Sequence, residues 1–101
     1  MRKAAASYRD GLMKDLADPR EAAAYLNAAL EEGNQEVFLM ALRDIADAKG
    51  MAALSKKSHL NRVSLYRMLS EKGNPQLASL AVILKNIGLR LSVEVRESKV
   101  A

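Results

Sequence analysis

A chain of 101 residues, half of them apolar, is one domain's worth of sequence with a modest core. With no Trp and a single Phe, that core must come from Leu, Ala, Val, Ile and Met, and with no Cys there is neither a disulfide framework nor a thiolate metal site. No apolar run is long enough to span a bilayer, and Met1–Arg2–Lys3 followed by Ala4–Ala5–Ala6 lacks the apolar region of a secretory signal, so a cytoplasmic protein is expected. The net charge of +4 is unevenly spread: residues 1–50 carry seven Lys/Arg against nine Asp/Glu, whereas residues 51–101 carry nine against three. That polarity points to an anionic partner for the second half, with nucleic acid the leading candidate.

Residues 1–17 read as an N-terminal arm or short helix. Residues 1–7 carry no stripe, and Tyr8, Leu12 and Leu16 share one helical face that Gly11 interrupts at a cost of about 1 kcal/mol. Asp18–Pro19–Arg20–Glu21 is a helix start: Asp18 caps, Pro19 takes the first helical position and Glu21 meets the positive end of the dipole. Tyr25, Leu26, Ala29 and Leu30 form the expected buried stripe, and Gly33 ends the helix. Asn34 caps the next helix, Gln35 to Lys49, stopped by Gly50. Its expected core face is Phe38, Leu42 and Ile45, widened by Ala41 and Ala46, with Val37 and Met40 off that face and placed to touch the neighbouring helix, and Arg43, Asp44, Asp47 and Lys49 in water.

Met51 to Ser70, MAALSKKSHLNRVSLYRMLS, reads as a short helix, a turn at Ser58–His59–Leu60 and a second helix from Arg62 to Leu69. Asn61 caps the second helix. Leu65, Met68 and Leu69 make its apolar stripe, and Arg62, Val63, Ser64, Tyr66 and Arg67 lie on its other faces. An apolar-backed helix whose first turns present arginines is the pattern of a major-groove reading helix. After the Glu71–Lys72–Gly73–Asn74–Pro75 turn, a further helix is expected from Pro75 to Gly88, with Leu77, Leu80, Ala81 and Leu84 as its stripe. In residues 89–95, LRLSVEV, apolar residues alternate, the period of a half-buried strand. A lone strand leaves unpaired backbone groups, so Leu89, Leu91, Val93 and Val95 are candidates for pairing with a second copy or a partner. Residues 96–101 read as a disordered tail.

From about Asp18 to Val95 the chain resembles the antidote proteins of toxin–antitoxin addiction modules, the HigA-like group of the XRE or lambda-repressor-like helix–turn–helix family. The segments that carry the resemblance are DPREAAAYLNAALEEGNQEVFLMALRDIADAKGM and LNRVSLYRMLSEKGNPQLASLAVILKNIGLRLSV, with the residues between them. The resemblance implies an all-α lambda-repressor-like helix–turn–helix bundle of about five helices with one short C-terminal β-strand. It places a DNA-binding domain at residues 18–95 with the helix–turn–helix at 51–70. It also implies a dimer that binds double-stranded operator DNA, represses its own operon and neutralises a RelE/ParE-like toxin. Two positions depart from the family pattern: Ser55 stands where Ala is usual, its hydroxyl able to bond back to the carbonyl one turn earlier in its own helix, and His59 where Gly is usual because the backbone takes positive φ.

The base-reading candidates are Arg62, Val63 and Arg67, since Arg bridges the O6 and N7 acceptors of guanine and Val meets a thymine methyl. Asn61, Ser64, Tyr66, Lys56, Lys57, Lys72 and Asn74 are candidates for backbone or secondary contacts, which position the duplex. His59 is the single His and has no ligand set around it. With no Gly-rich phosphate loop and no Ser/His/Asp set, neither an enzyme nor a cofactor is expected. Two alternatives remain open: a stand-alone XRE-type regulator, or a protein-interaction module with little DNA binding.

Overall fold

The structure is a computed structural model that describes residues 2–97, with side chains from Ser7 onward. Among the described residues it is all-helical: α1 (Arg2–Leu16), α2 (Pro19–Glu31), α3 (Gln35–Lys49), α4 (Met51–Ser58), α5 (Arg62–Met68) and α6 (Leu77–Asn86). The first segment is helical from Arg2, ahead of the expected Tyr8, and Gly11 lies inside the helix. Leu16 is buried, and Leu12 and Met13 pack against the core beside it. Tyr8 is 74% exposed, so the stripe is shifted from the expected one. Burying these three apolar side chains outweighs the glycine penalty.

Local capping chemistry sets the next boundaries. Asp18 Oδ1 accepts from the Arg20 N–H at 2.9 Å, with Pro19 at the first helical position of α2. Asn34 Oδ1 accepts from the N–H groups of Glu36 and Val37 at 2.8 and 3.3 Å. Gly33 and Gly50, at φ 70° and 94°, turn the chain out of α2 and α3 through backbone that L side chains rarely adopt.

Helix α3 is the hub against which α1, α2 and α4 pack. Leu42 and Ile45 are fully buried as expected, but Leu39 is buried with them while Phe38 is only half-buried. The inward face is thus turned slightly toward Leu39, by a fraction of the roughly 100° that separates neighbouring positions on a helix. Truncating Leu42 or Ile45 to Ala would cost about 2–5 kcal/mol. Similar small rotations leave Leu30 of α2 and Leu77 of α6 exposed, at 56% and 71%. In α6 the buried row is Ile83, Leu84 and, just past its end, Ile87.

The polar side chains of α3 are not free in water. Asp44 Oδ2 accepts from the Tyr25 hydroxyl at 2.7 Å. Arg9 reaches both Asp44 and Asp47, at 3.5 and 3.2 Å, and Lys49 Nζ donates to the Ala17 carbonyl at 2.9 Å. Arg9 is half-exposed, so each of its ion pairs is worth about 0–1 kcal/mol. Their effect is to fix how α1 and α2 sit on α3. Burial, then the hydrogen bond to Asp44 and its charge, push the Tyr25 hydroxyl up to about 12.

The loop after α5 is docked rather than loose. Gly73 is buried, its N–H donates to the Ser70 carbonyl at 2.9 Å, and its own carbonyl accepts from Gln35 Nε2 at 3.1 Å. A Cβ on Gly73 would lie 2.1 Å from the Met68 carbonyl oxygen. Pro75 lies before α6 rather than opening it: the helix starts at Leu77, with Gln76 as its N-cap.

The expected strand at residues 89–95 does not form, and there is no strand among the described residues. Leu89 donates its N–H to the Leu84 carbonyl at 2.8 Å, completing the turn out of α6, and its side chain packs against the core. Beyond it the chain is extended, with Val93 98% and Val95 92% exposed. Alternation selects an extended conformation, but a strand needs a neighbour for its N–H and C=O groups, and the bundle offers no edge. Beyond residue 97 the expected tail lies outside the described residues.

Gly73→Ala is expected to displace this loop and lower stability by about 1–3 kcal/mol, as overpacking does, measured by urea denaturation; an unchanged midpoint would show that the loop shifts freely. The Tyr25 hydroxyl gives a second expectation. Its value in the folded chain lies above its ordinary 10.0, so its stabilisation is complete below that pH and is lost as pH rises through about 12. Thermal melts across that window should fall more steeply for the native chain than for Tyr25→Phe, and parallel slopes would contradict the assignment.

Candidate nucleic-acid interface

Helix α5 has only seven residues, too few to persist in water without support. Its start is fixed by Asn61, whose Oδ1 accepts from the N–H groups of Val63 and Ser64 at 2.7 and 3.3 Å. That oxygen is therefore committed to the cap, and only the amide NH₂ of Asn61 is left for another partner. Leu65 and, at the C-terminal cap, Leu69 are fully buried, with Met68 packed beside them.

The turn before α5 is tied together by two serines. His59 sits at φ 61°, ψ 21°, the left-handed region. Ser55 Oγ donates to the Leu60 carbonyl at 2.6 Å, reaching forward across the turn. The buried Ser58 hydroxyl accepts from the Leu60 N–H at 3.2 Å. The sequence suggests a backward bond from Ser55 to its own helix; the structure shows it spent on the turn instead. A non-glycine residue in this conformation costs roughly 1–2 kcal/mol, and the two serine bonds offset that.

With its stripe buried, α5 turns Arg62, Val63, Tyr66 and Arg67 outward, Val63 being 71% exposed. Arg43 from α3 lies 4.6 Å from the centre of the Tyr66 ring, while its Nε donates to Asp47 at 3.2 Å. Tyr66 is thus held by the bundle while remaining 38% exposed. Ser64 and Arg67 line an open cleft beside α5, together with Lys72 and Asn74 from the docked loop. The fold therefore brings these four sequence candidates together. Lys56 and Lys57 stand exposed in the last turn of α4, outside that cleft.

Three lining residues escape the sequence reading: Ser70, Gln76 and Ser79. The last two belong to the opening of α6, which has no side-chain cap. Its first N–H groups are free to meet an anion, as helix N-termini do. The signal was Gln76 after Pro75, masked by placing the helix start at the proline itself. Two cations, several hydroxyls and amides, and a helix N-terminus suit the phosphates of a polyanion. Leu91, Val93 and Val95 lie on the extended segment, apart from this surface. No group of three or more His, Asp or Glu side chains able to hold a metal is found among the described residues, and no described helix is long and apolar enough to cross a membrane.

A family model described as "Probable addiction module antidote protein" matches residues 10–95. A Haemophilus influenzae protein described as "Uncharacterized protein" is 37% identical over 79 residues, which cover 78% of this chain and 81% of that protein. No solved structure matches.

The turn makes a paired prediction. His59→Gly should raise stability by on the order of 1 kcal/mol by removing the left-handed penalty. Ser55→Ala should lower it by about 1 kcal/mol through the lost hydrogen bond. Denaturation of both single variants and of the double variant checks the pair; if Ser55→Ala is neutral beside His59, the serine does not brace the turn.

Proposed function

Because this chain belongs to the family of probable addiction module antidote proteins, we propose that it is a sequence-specific DNA-binding antitoxin of a type II toxin–antitoxin module, repressing its own operon and neutralising a RelE/ParE-like toxin. In this reading α4 and α5 form a helix–turn–helix of the XRE, lambda-repressor-like kind. The observation that carries it is the outward face of α5, where Arg62, Val63 and Arg67 stand opposite a buried stripe. These three read base edges in the major groove: the arginines take guanine O6 and N7, and Val63 packs on a thymine methyl. Ser64, Lys72 and Asn74 line the cleft beside α5 and hold phosphates, as do Lys56 and Lys57, which fixes register without reading sequence. Tyr66, braced by Arg43, and Asn61, through its remaining NH₂, make secondary contacts. Binding as a homodimer lets two copies of α5 meet half-sites one helical turn apart.

The acidic first half and the exposed Leu91, Val93 and Val95 favour a second reading, a protein-interaction module with little DNA binding. Salt dependence separates the two, because each phosphate contact contributes about 0.9 to the slope of log affinity against log salt.

Two measurements test the proposal. In gel-shift titrations on the DNA upstream of the gene at fixed salt, Arg62→Ala and Arg67→Ala should each weaken specific binding by about 1–3 kcal/mol, roughly tenfold to a hundredfold. Undiminished binding by the double variant would remove these residues from base reading. In a growth assay, the chain should rescue cells expressing the protein of the adjoining reading frame; no rescue would remove the antitoxin role.

A further inference from the structure

Between α2 and α3, away from the cleft beside α5, runs an open groove of about 450 Å³. The buried Ala29 and Ala41 form its floor, and Tyr25, Ala28, Val37 and Met40 line it beside them. Val37 and Met40, which the sequence suggests would touch a neighbouring helix, are 38% and 42% exposed. The lining row on α2 runs from Tyr25 to Glu32 and that on α3 from Glu36 to Asp44, each about two helical turns, or roughly 10 Å. A floor of alanines admits the backbone of a third helix at close range. Methionine on the wall adapts to whatever side chain enters.

The groove's rim is acidic. Glu32 and Glu36 stand at one end and Glu71, from the loop after α5, lines it as well. None of these three is in an ion pair among the described residues. Asp44, which also lines the groove, is already matched by Arg9 and the Tyr25 hydroxyl. Arg43, the cation on this stretch of α3, is engaged by Asp47 and the Tyr66 ring. Lys72, next to Glu71 in sequence, lines the cleft on the other side of the loop. A chain of net charge +4 therefore presents one apolar groove with an unneutralised acidic edge.

We propose that this groove is the seat of the toxin, and that the toxin segment it takes is a basic amphipathic helix. The proposal rests on the antitoxin reading and names the surface and chemistry of that contact. Apolar side chains on one face of the partner helix enter over the alanines and against Met40, and its Lys or Arg residues reach Glu32, Glu36 and Glu71 at the rim. This is the helix-in-groove mode, in which buried anchors supply affinity and rim charges supply register and rate. A second copy of the chain paired through the same groove is a poor occupant, because the lining it would bring contains acids and no Lys or Arg to meet Glu32, Glu36 and Glu71.

The test has two arms. In the first, the full chain with labelled Ala and Met methyls is titrated with a helical peptide of about 14 residues, roughly 20 Å long, built from Leu and Lys. A Leu/Glu peptide of the same pattern serves as the control. The expected result is shifts confined to Met40, Ala28, Ala29 and Ala41 with the Lys peptide only. Affinity should fall at least about tenfold in Met40→Lys with Glu36→Lys, and partly in the milder Glu36→Gln with Glu71→Gln. All four substitutions are at exposed positions, and melting curves check that each variant is folded. Equal binding of both peptides, shifts elsewhere, or no loss in the variants overturns the proposal. In the second arm the same variants enter the growth assay. Rescue by the native chain but not by Met40→Lys with Glu36→Lys supports the groove as the toxin's seat. Rescue by both overturns the seat while leaving the antitoxin reading in place. No rescue by either overturns both.

Discussion

A seven-residue helix does not hold its shape alone in water, and everything proposed for the DNA surface depends on how α5 is held. Three constraints act on it together: the burial of Leu65 and Leu69, the Asn61 cap, and the left-handed turn at His59 tied by Ser55 and Ser58. The burial fixes which face of α5 turns outward, the cap fixes where it begins, and the turn fixes how it leaves α4. Arg62, Val63 and Arg67 gain their common direction from these three contacts rather than from any contact of their own.

The same supports reach beyond α5. Leu69 ends the helix, and the loop that follows is clamped by Gly73 beneath it and by Gln35 from α3. That loop places Lys72 and Asn74 in the cleft and Glu71 on the edge of the α2–α3 groove. Charge separation along the sequence thus becomes charge separation in space at a single loop. A cationic cleft suited to phosphates and an acidic apolar groove suited to a basic helix lie on its two sides. Arg43 ties α3 to α5, pairing with Asp47 on its own helix and covering the Tyr66 ring.

Much of the candidate site was legible before any coordinates. Asn61 as a cap, the turn at residues 58–60 and the outward placement of Arg62, Val63 and Arg67 all follow from short-range chemistry. So does positive φ at His59, which the departure from the family's glycine marked in advance. Less legible were Gln76 and Ser79, because a proline after a turn reads as a helix start and hides the free N–H groups behind it. The groove was invisible as well: Val37 and Met40 read as residues for an internal contact, and only the angular setting of α2 against α3 left them open.

Sequence by itself determined where most helices begin and end, because Asp18–Pro19, Asn34, Gly33, Gly50, Asn61 and Gly88 act through backbone groups within a turn of themselves. It also determined that the second half is basic and that α5 has an apolar back. Tertiary structure alone decided which apolar residues were covered. A helix with apolar residues over a wide arc tolerates a small rotation about its axis, so the choice of Leu39 over Phe38 and the exposure of Leu30, Leu77 and Met40 were set by neighbouring helices. It alone also decided the fate of residues 89–95. Their alternation prescribes an extended chain, but a strand is a pairing between distant backbones, and no period within one segment can supply its partner.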